Sequence, residues 1–202
     1  MSEVPLPPFL LSALREFSCY PLLAGALQAR ELSAKVHILA IGKAAWQMAA
    51  VALQNLPSGH TPDGYVLTKY GFSQAALPPL QVREAGHPVP DSNSFLHTRE
   101  ILNWLGSLPT GEDLIILLSG GGSALFEAVE SSDNPDSGEL QSREQQLANL
   151  HRLLLCSGLD IARMNSRRSE ISAVKAGKAL RYLQTRRVHI FALSDVEGND
   201  PR

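Results

Sequence analysis

Residues 114–118 read Leu-Ile-Ile-Leu-Leu, the most apolar run in the chain, and Ser119-Gly120-Gly121-Gly122-Ser123 follows at once. An unbroken apolar run this short is not the alternating pattern of a half-solvated strand, nor long enough for an amphipathic helix, so it predicts a strand buried on both faces. Strands of that kind belong to parallel sheets, whose neighbours must be joined by crossovers of a dozen or more residues, usually helical. Val36 to Ile41 (VHILAI), closed by Gly42, and Val188 to Leu193 (VHIFAL), followed by Ser194, have the same form.

Helical and extended patterns alternate between these runs. Ala44 to Gln54 is rich in helix formers and stops before Pro57-Ser58-Gly59. Tyr65 to Thr68 and Leu80 to Glu84 read as short strands bounded by Gly or Pro. Thr98, Ile101, Leu102 and Leu105 make a helical stripe within 97–105, with Ser92, Asn93 and Ser94 as candidate N-caps. Glu130 to Gly138 is a turn-rich loop, followed by a helix carrying Leu140, Leu147, Leu150 and Leu154 that Gly158 can terminate. A further helix is expected over about Ser169 to Gln184, and a short opening helix over Leu10, Leu14 and Phe17. The order predicts an α/β fold, a Rossmann-like parallel sheet with helices on both faces, and no internal repeat.

With 202 residues, 44% of them hydrophobic and 19% charged, one large folded domain spanning 1–202 is expected. A net charge of −2 gives no general attraction to nucleic acid or an anionic membrane. Cys19 and Cys156 lack CxxC spacing and suit a reducing cytoplasm. No basic leader and no run near the roughly 18 apolar residues of a membrane span occurs, so a cytoplasmic location away from membranes is expected.

Ligands of open parallel sheets bind at the carboxyl ends of strands, where this chain has Gly42-Lys43, Ser119 to Ser123, and Ser194 to Asp200. Lys43 falls where a helix begins, opposing the helix dipole by about 0.3 to 1 kcal/mol; a bound anion would compensate, and the alternative is a solvated lysine. Gly120, Gly121 and Gly122 allow backbone amides to approach an anion, with Ser123 adding a hydroxyl, or they make a plain tight turn. Asp195 and Asp200 could hold Mg²⁺ or accept a hydroxyl proton, or lie in a solvated turn. Arg168 and Lys175 offer anion contacts, and His87, before Pro88, reads as structural. The glycine segments match neither a Walker A loop nor the dinucleotide fingerprint, whose third position would be Leu125; Leu125 also breaks a Gly-x-Ser-x-Gly elbow around Ser123.

Taken in order, Ile41-Gly-Lys-Ala-Ala45, Thr68-Lys-Tyr-Gly71, Glu84-Ala-Gly-His-Pro-Val-Pro-Asp91, Ser119-Gly-Gly-Gly-Ser-Ala124, Asn165 with Arg168, Ser172-x-x-Lys175 and Ser194-Asp-Val-x-Gly198 resemble the glycerate 2-kinase family. The resemblance implies transfer of phosphate from ATP, with Mg²⁺, to D-glycerate, mostly at the 2-hydroxyl, in a cleft between a Rossmann-like domain and a second domain called MOFRL. It implies that Lys43 is an active-site residue. The residues themselves add the expectation that Asp195 is catalytic with Lys43, that Gly42, Ser119, Gly120, Gly121, Gly122, Ser123, Arg168, Ser172 and Lys175 bind substrate or phosphate, and that Asp195 and Asp200 bind metal. Lys175-Ala176-Gly177 stands where such proteins usually have Lys-Gly-Gly, and Gly198-Asn199-Asp200-Pro201 where they have Gly-Asp-Asp-Pro. The chain stops at Arg202, so an N-terminal domain incomplete at its C-terminus, without MOFRL, inactive alone and open to self-association as a homo-oligomer, is the expectation. The alternatives are a noncatalytic anion or sugar-phosphate binding module and a hydroxypyruvate reductase.

Overall fold

A computed structural model describes residues 20–130, 136–184 and 187–193. Its elements are α1 (Tyr20–Gln28), β1 (Lys35–Ile41), α2 (Ala45–Asn55), β2 (Thr61–Lys69), β3 (Leu80–Ala85), α3 (Ser92–Ser107), β4 (Asp113–Leu118), the single turn α4 (Gly122–Leu125), α5 (Ser137–Cys156), α6 (Ile161–Ile171), a 3₁₀ helix (Lys178–Tyr182) and β5 (Arg187–Ala192). The strands form one all-parallel sheet in the order β3-β2-β1-β4-β5. The α/β class and the parallel sheet are therefore as the apolar runs predict.

Successive residues of a strand point to opposite faces, and the central strands are apolar on both. Val36, Ile38 and Ala40 of β1, with Ile115 and Leu117 of β4, pack against Leu23 and Leu27 of α1 and Ala45, Met48, Ala49 and Ala52 of α2. Leu39, Ile41, Leu114 and Ile116 meet Ile101, Leu102 and Leu105 of α3 on the other face. The alanine stripe lets α2 lie close to the sheet. Each fully buried Leu or Ile side chain contributes roughly 1.5 to 3 kcal/mol, so these two layers supply most of the driving force.

Three local expectations change. The cap of α3 is Asp91, in an extended conformation after Pro90; its carboxylate accepts from the Ser94 amide at 2.9 Å, and the Ser94 hydroxyl bonds back to the Asp91 amide at 3.1 Å. That reciprocal box starts the helix earlier than the apolar stripe does. The helix expected over Ser169 to Gln184 is broken: α6 ends at Ile171, Ser172 is extended, and Ala176 and Gly177 are left-handed at φ +52° and +78°. Two left-handed residues cannot continue a right-handed helix, and the Ala173 amide bonds to the Ala128 carbonyl at 2.9 Å instead. Helix α1 and most of α6, before Ser169, have no counterpart in the sequence reading. The opening helix at Leu10, Leu14 and Phe17 lies outside the described residues.

The amino ends of the strands hold the acidic groups. Asp113, fully buried, accepts from the Ser33 amide at 2.6 Å and Arg187 Nε at 3.1 Å and pairs with His189 Nε2 at 2.7 Å, tying β4 to the edge strand. Burial works against its ionisation, but hydrogen bonds from the Ser33 amide, His189, the Ser33 side chain and Arg187 outweigh it and lower its pKa from 3.8 to about 2. A carboxylate whose folded pKa is depressed stabilises the fold above its unfolded value and loses that stabilisation as pH falls through the folded one. The effect is about 2 kcal/mol at neutral pH. We predict that Asp113→Asn loses about that much and flattens the fall in stability between pH 4 and 2. Denaturant melts across that range check it, and parallel curves for the two proteins would refute it.

Candidate active site

From β1 the chain runs outward to β2 and β3 on one side and later to β4 and β5 on the other. The connections leaving the carboxyl ends of β1 and β4 therefore diverge, and the crevice between them is where open α/β sheets bind ligands. Gly42-Lys43 and Ser119 to Ser123 lie at those two ends.

The two turns are stitched together. The Lys43 amide donates to the Gly120 carbonyl at 2.9 Å, the Ser119 amide to the Ile41 carbonyl at 2.9 Å, and the Ala44 amide to Ser119 Oγ at 3.0 Å. Helix α2 starts at Ala45 with no capping side chain of its own, so Ser119, a strand away, supplies an acceptor at its entrance. Gly42 has φ +125°, and a Cβ there would fall 2.3 Å from Ser119 Oγ and 2.5 Å from the Ser119 carbonyl oxygen. Only glycine tolerates that approach. Gly42 and Ser119, expected among the ligand-binding groups, thus have positions set by each other.

Above this seam lies a group of cations for which, among the described residues, no acid makes an ion pair. A Cβ on Gly121, at φ +87°, would lie 3.0 Å from His87 Nε2 and 3.2 Å from Lys43 Cε, so both side chains reach across the bare face of the glycine turn. Burial, and then the charges of Lys43, Lys69 and Arg168, push the His87 imidazole below its ordinary pKa. Those cations come from the β1–α2 turn, the end of β2, and α6. Arg168 is only 6% exposed, yet its Nε and Nη2 have no hydrogen-bond partner. These two nitrogens form one edge of the guanidinium fork, the edge that suits two oxygens of a carboxylate or phosphate. Burial lowers the Arg168 pKa, partly countered by the charge of Glu127. Ser123 is exposed at the first turn of α4, and Gly120 and Gly122 complete the loop.

Ser172 and Lys175 turn inward. Fully buried Glu127 accepts from Ser172 Oγ at 2.5 Å and the Ala128 amide at 3.0 Å, and pairs with His151 at 2.8 Å and with Lys175. Burial opposes ionisation of Glu127, and the His151 hydrogen bond, the Lys175 charge and the Ser172 hydroxyl outweigh it, holding its pKa below the usual range. Burial depresses Lys175 in turn, with Glu127 countering. Arg168, one turn before Ser172, is the cation of this segment that keeps free donors.

For a metal the described residues offer little. They contain no group of three His, Cys, Asp or Glu that could hold one. Glu84 is engaged by the Gly71 and Ser73 amides, and Asp91 by Tyr70 and the α3 cap. Asp195 and Asp200 lie outside the described residues. No helix among the described residues is long and apolar enough to cross a membrane.

Two members of the cluster, Lys69 and His87, were absent from the sequence-derived site. Their signal was present in the ordered segments Thr68 to Gly71 and Glu84 to Asp91. The structure shows these interlocking, Tyr70 Oη donating to Asp91 at 2.7 Å and the Gly71 amide to Glu84 at 3.0 Å.

A family model described as a domain of unknown function, DUF4147, matches residues 10–202. The chain belongs to the DUF4147 family. It is 38% identical over 165 residues to a D-glycerate 2-kinase of Thermotoga maritima, covering 82% of this chain and 37% of that protein. It is 36% identical over 170 residues to a glycerate 2-kinase of Pyrococcus horikoshii, covering 84% and 36%. A crystal structure of the T. maritima glycerate kinase superposes with a TM-score of 0.77 at 33% identity, over 95% of this chain and 44% of that one. The DUF4147 chain thus spans well under half the length of these relatives.

In this DUF4147 chain Ala176 is exposed and left-handed. A non-glycine residue there is strained by roughly 1 to 2 kcal/mol, while introducing glycine loosens the unfolded chain by about 0.4 to 1 kcal/mol. Relief of strain is the larger effect. Ala176→Gly is predicted to stabilise the protein by about 0.5 to 1 kcal/mol, read from denaturant midpoints; a loss of stability would show that the strain is not there.

Proposed function

We propose that this chain forms the phosphoryl-handling part of an ATP-dependent D-glycerate kinase acting at the 2-hydroxyl to give 2-phosphoglycerate, working in the cytoplasm. The observation that carries the proposal is that Lys43 and His87 meet over Gly121 at the crevice of the sheet, where the charges of Lys69 and Arg168 also act on His87 and no described acid pairs with these cations. Of these cations Arg168 is buried with two donors unpaired; a buried charge without a partner is costly, and a bound anion removes the cost. Phosphoryl transfer asks a protein mainly for positioning and positive charge about the migrating group.

In this reading the amides of Gly121, Gly122 and Ser123, which start a helix turn and so lack intrahelical acceptors, hold phosphoryl oxygens. Lys43 reaches over them and stabilises charge on the transferring group. Arg168 takes a carboxylate or phosphate with its free edge. ATP fits this donor set. The described residues offer Mg²⁺ no group of three ligands, and Asp195 and Asp200 are its proposed ligands. Ser172 and Lys175 act indirectly, by holding the end of α6.

The kinase names belong to relatives more than twice as long, and alignment of two substrates for in-line transfer requires a closed site. The 202-residue chain by itself is therefore expected to bind ligands with little turnover. Thermal melts should show ATP and D-glycerate raising the melting temperature, by an amount equivalent to about 2.7 kcal/mol at a hundredfold excess over Kd. Lys43→Ala and Gly121→Val should remove the ligand effect. Lys43→Ala should leave the free protein's melt unchanged, since Lys43 is exposed. ADP release at a kinase rate of about 1 to 100 per second would contradict the expected inactivity, and unaltered ligand effects in both variants would sink the site.

A further inference from the structure

We propose that His87 accepts the proton of the alcohol that is phosphorylated, with the reacting hydroxyl of the substrate donating its hydrogen to His87 Nε2 beside Lys43 and Gly121. This rests on the kinase reading above and names the proton acceptor of that site.

The first support is an inventory of acceptors. A substrate hydroxyl needs an oxygen or nitrogen lone pair to point at, and Lys43, Lys69 and Arg168 can only donate. Among the described residues the nearby carboxylates are already engaged: Glu127 by Ser172, His151 and Lys175, Glu84 through Oε1 by the turn after β2, and Asp91 by Tyr70 and the cap of α3. Ser119 Oγ accepts from the Ala44 amide. The His87 ring makes no hydrogen bond with any described residue, and its Nε2 sits over the bare face of Gly121 next to Lys43.

The second support is the electrostatic setting. Among the described residues the charges acting on the ring are those of Lys43 from the β1–α2 turn, Lys69 from the end of β2 and Arg168 from α6, while the glycine turn brings none. Burial and these three cations lower the imidazole's pKa and so favour the neutral form, in which a ring nitrogen has a lone pair to offer. They also oppose its protonation, which would make it a poor base if the field stayed unchanged. Phosphates of a nucleoside triphosphate on the glycine turn reverse the field, and the imidazole becomes more basic once the donor is in place. The base is thereby coupled to the presence of its phosphoryl donor.

The step balances as follows. The alcohol O–H bond breaks and its proton goes to His87 Nε2, while the oxygen pair forms the new O–P bond. The bond from the terminal phosphorus to the bridging oxygen breaks, and its pair leaves on the nucleoside diphosphate. The imidazolium returns its proton to solvent after the products depart.

The test observes the His87 ring nitrogens by long-range ¹H–¹⁵N NMR in the 202-residue chain, assigned with His87→Gln, and follows the amides of residues 120–123. ATP is expected to raise the His87 pKa. D-Glycerate should move Nε2, and 3-hydroxypropanoate, which lacks the 2-hydroxyl, should leave it in place. His87→Phe should weaken glycerate binding about tenfold while His87→Gln, which keeps an acceptor, holds most of it. Equal response of Nε2 to both acids would overturn the proposal, as would movement of the loop amides by glycerate with Nε2 still. Loss of glycerate binding in Asp195→Asn but not in His87→Phe would move the role to Asp195. If no ligand moves the loop amides, the site reading falls as well, which separates the two failures.

Discussion

The hydrogen bonds between the ends of β1 and β4 are what the rest of the site depends on. Two strands 4.7 to 4.9 Å apart, by the general geometry of sheets, leave in opposite directions, and backbone groups freed there must find partners. The Lys43 amide on the Gly120 carbonyl and the Ala44 amide on Ser119 Oγ satisfy them across the gap. That seam requires Gly42, because a Cβ would strike Ser119. It also sets where Lys43 and the glycine turn stand relative to each other. Any geometry by which Lys43 and the loop amides could share an anion follows from it.

A second constraint is the separation of charge along the strands. At their amino ends the carboxylates are answered: Asp63 by Lys35 and His37, Glu112 by His37, Asp113 by Arg187 and His189. At their carboxyl ends the charges of Lys43, Lys69 and Arg168 act on His87, and no described acid pairs with these three. The whole-chain charge of −2 averages over this and hides it. Glu127 sharpens the difference. By pairing with Lys175 and His151 it anchors the segment after α6 and leaves Arg168 as the cation with free donors.

Much of the fold was legible in one dimension because its signal is local. Strands β1 and β4 are apolar on consecutive residues and buried, and α2 and α5 follow from periodicity and turn residues; β5 has the same apolar form but lies at the edge of the sheet with Ile190 exposed, so its existence was legible and its burial was not. What misled was also local. The stretch from Ser169 reads as helix by propensity, but Ser172 and Ala173 are drawn to Glu127 and Ala128, 45 residues earlier in each case, and the chain turns left-handed at Ala176. His87 reads as a loop histidine before proline, and nothing adjacent in sequence says that Lys43 meets it over Gly121 or that the charge of Arg168 acts on it. Lys175 reads as an anion ligand because the acid that pairs with it is distant in sequence.

The sequence by itself determined the class of fold, the direction of its strands and the segments that gather at one end of the sheet, since burial on two faces and backbone freedom at glycine are properties of neighbouring residues. Only the tertiary structure decided which of the basic residues meet, which of them already have a counter-charge, and that a histidine stands among those that do not. Electrostatic interactions act through space between residues far apart in the chain, and their strength depends on burial. Neither quantity exists until the chain has folded.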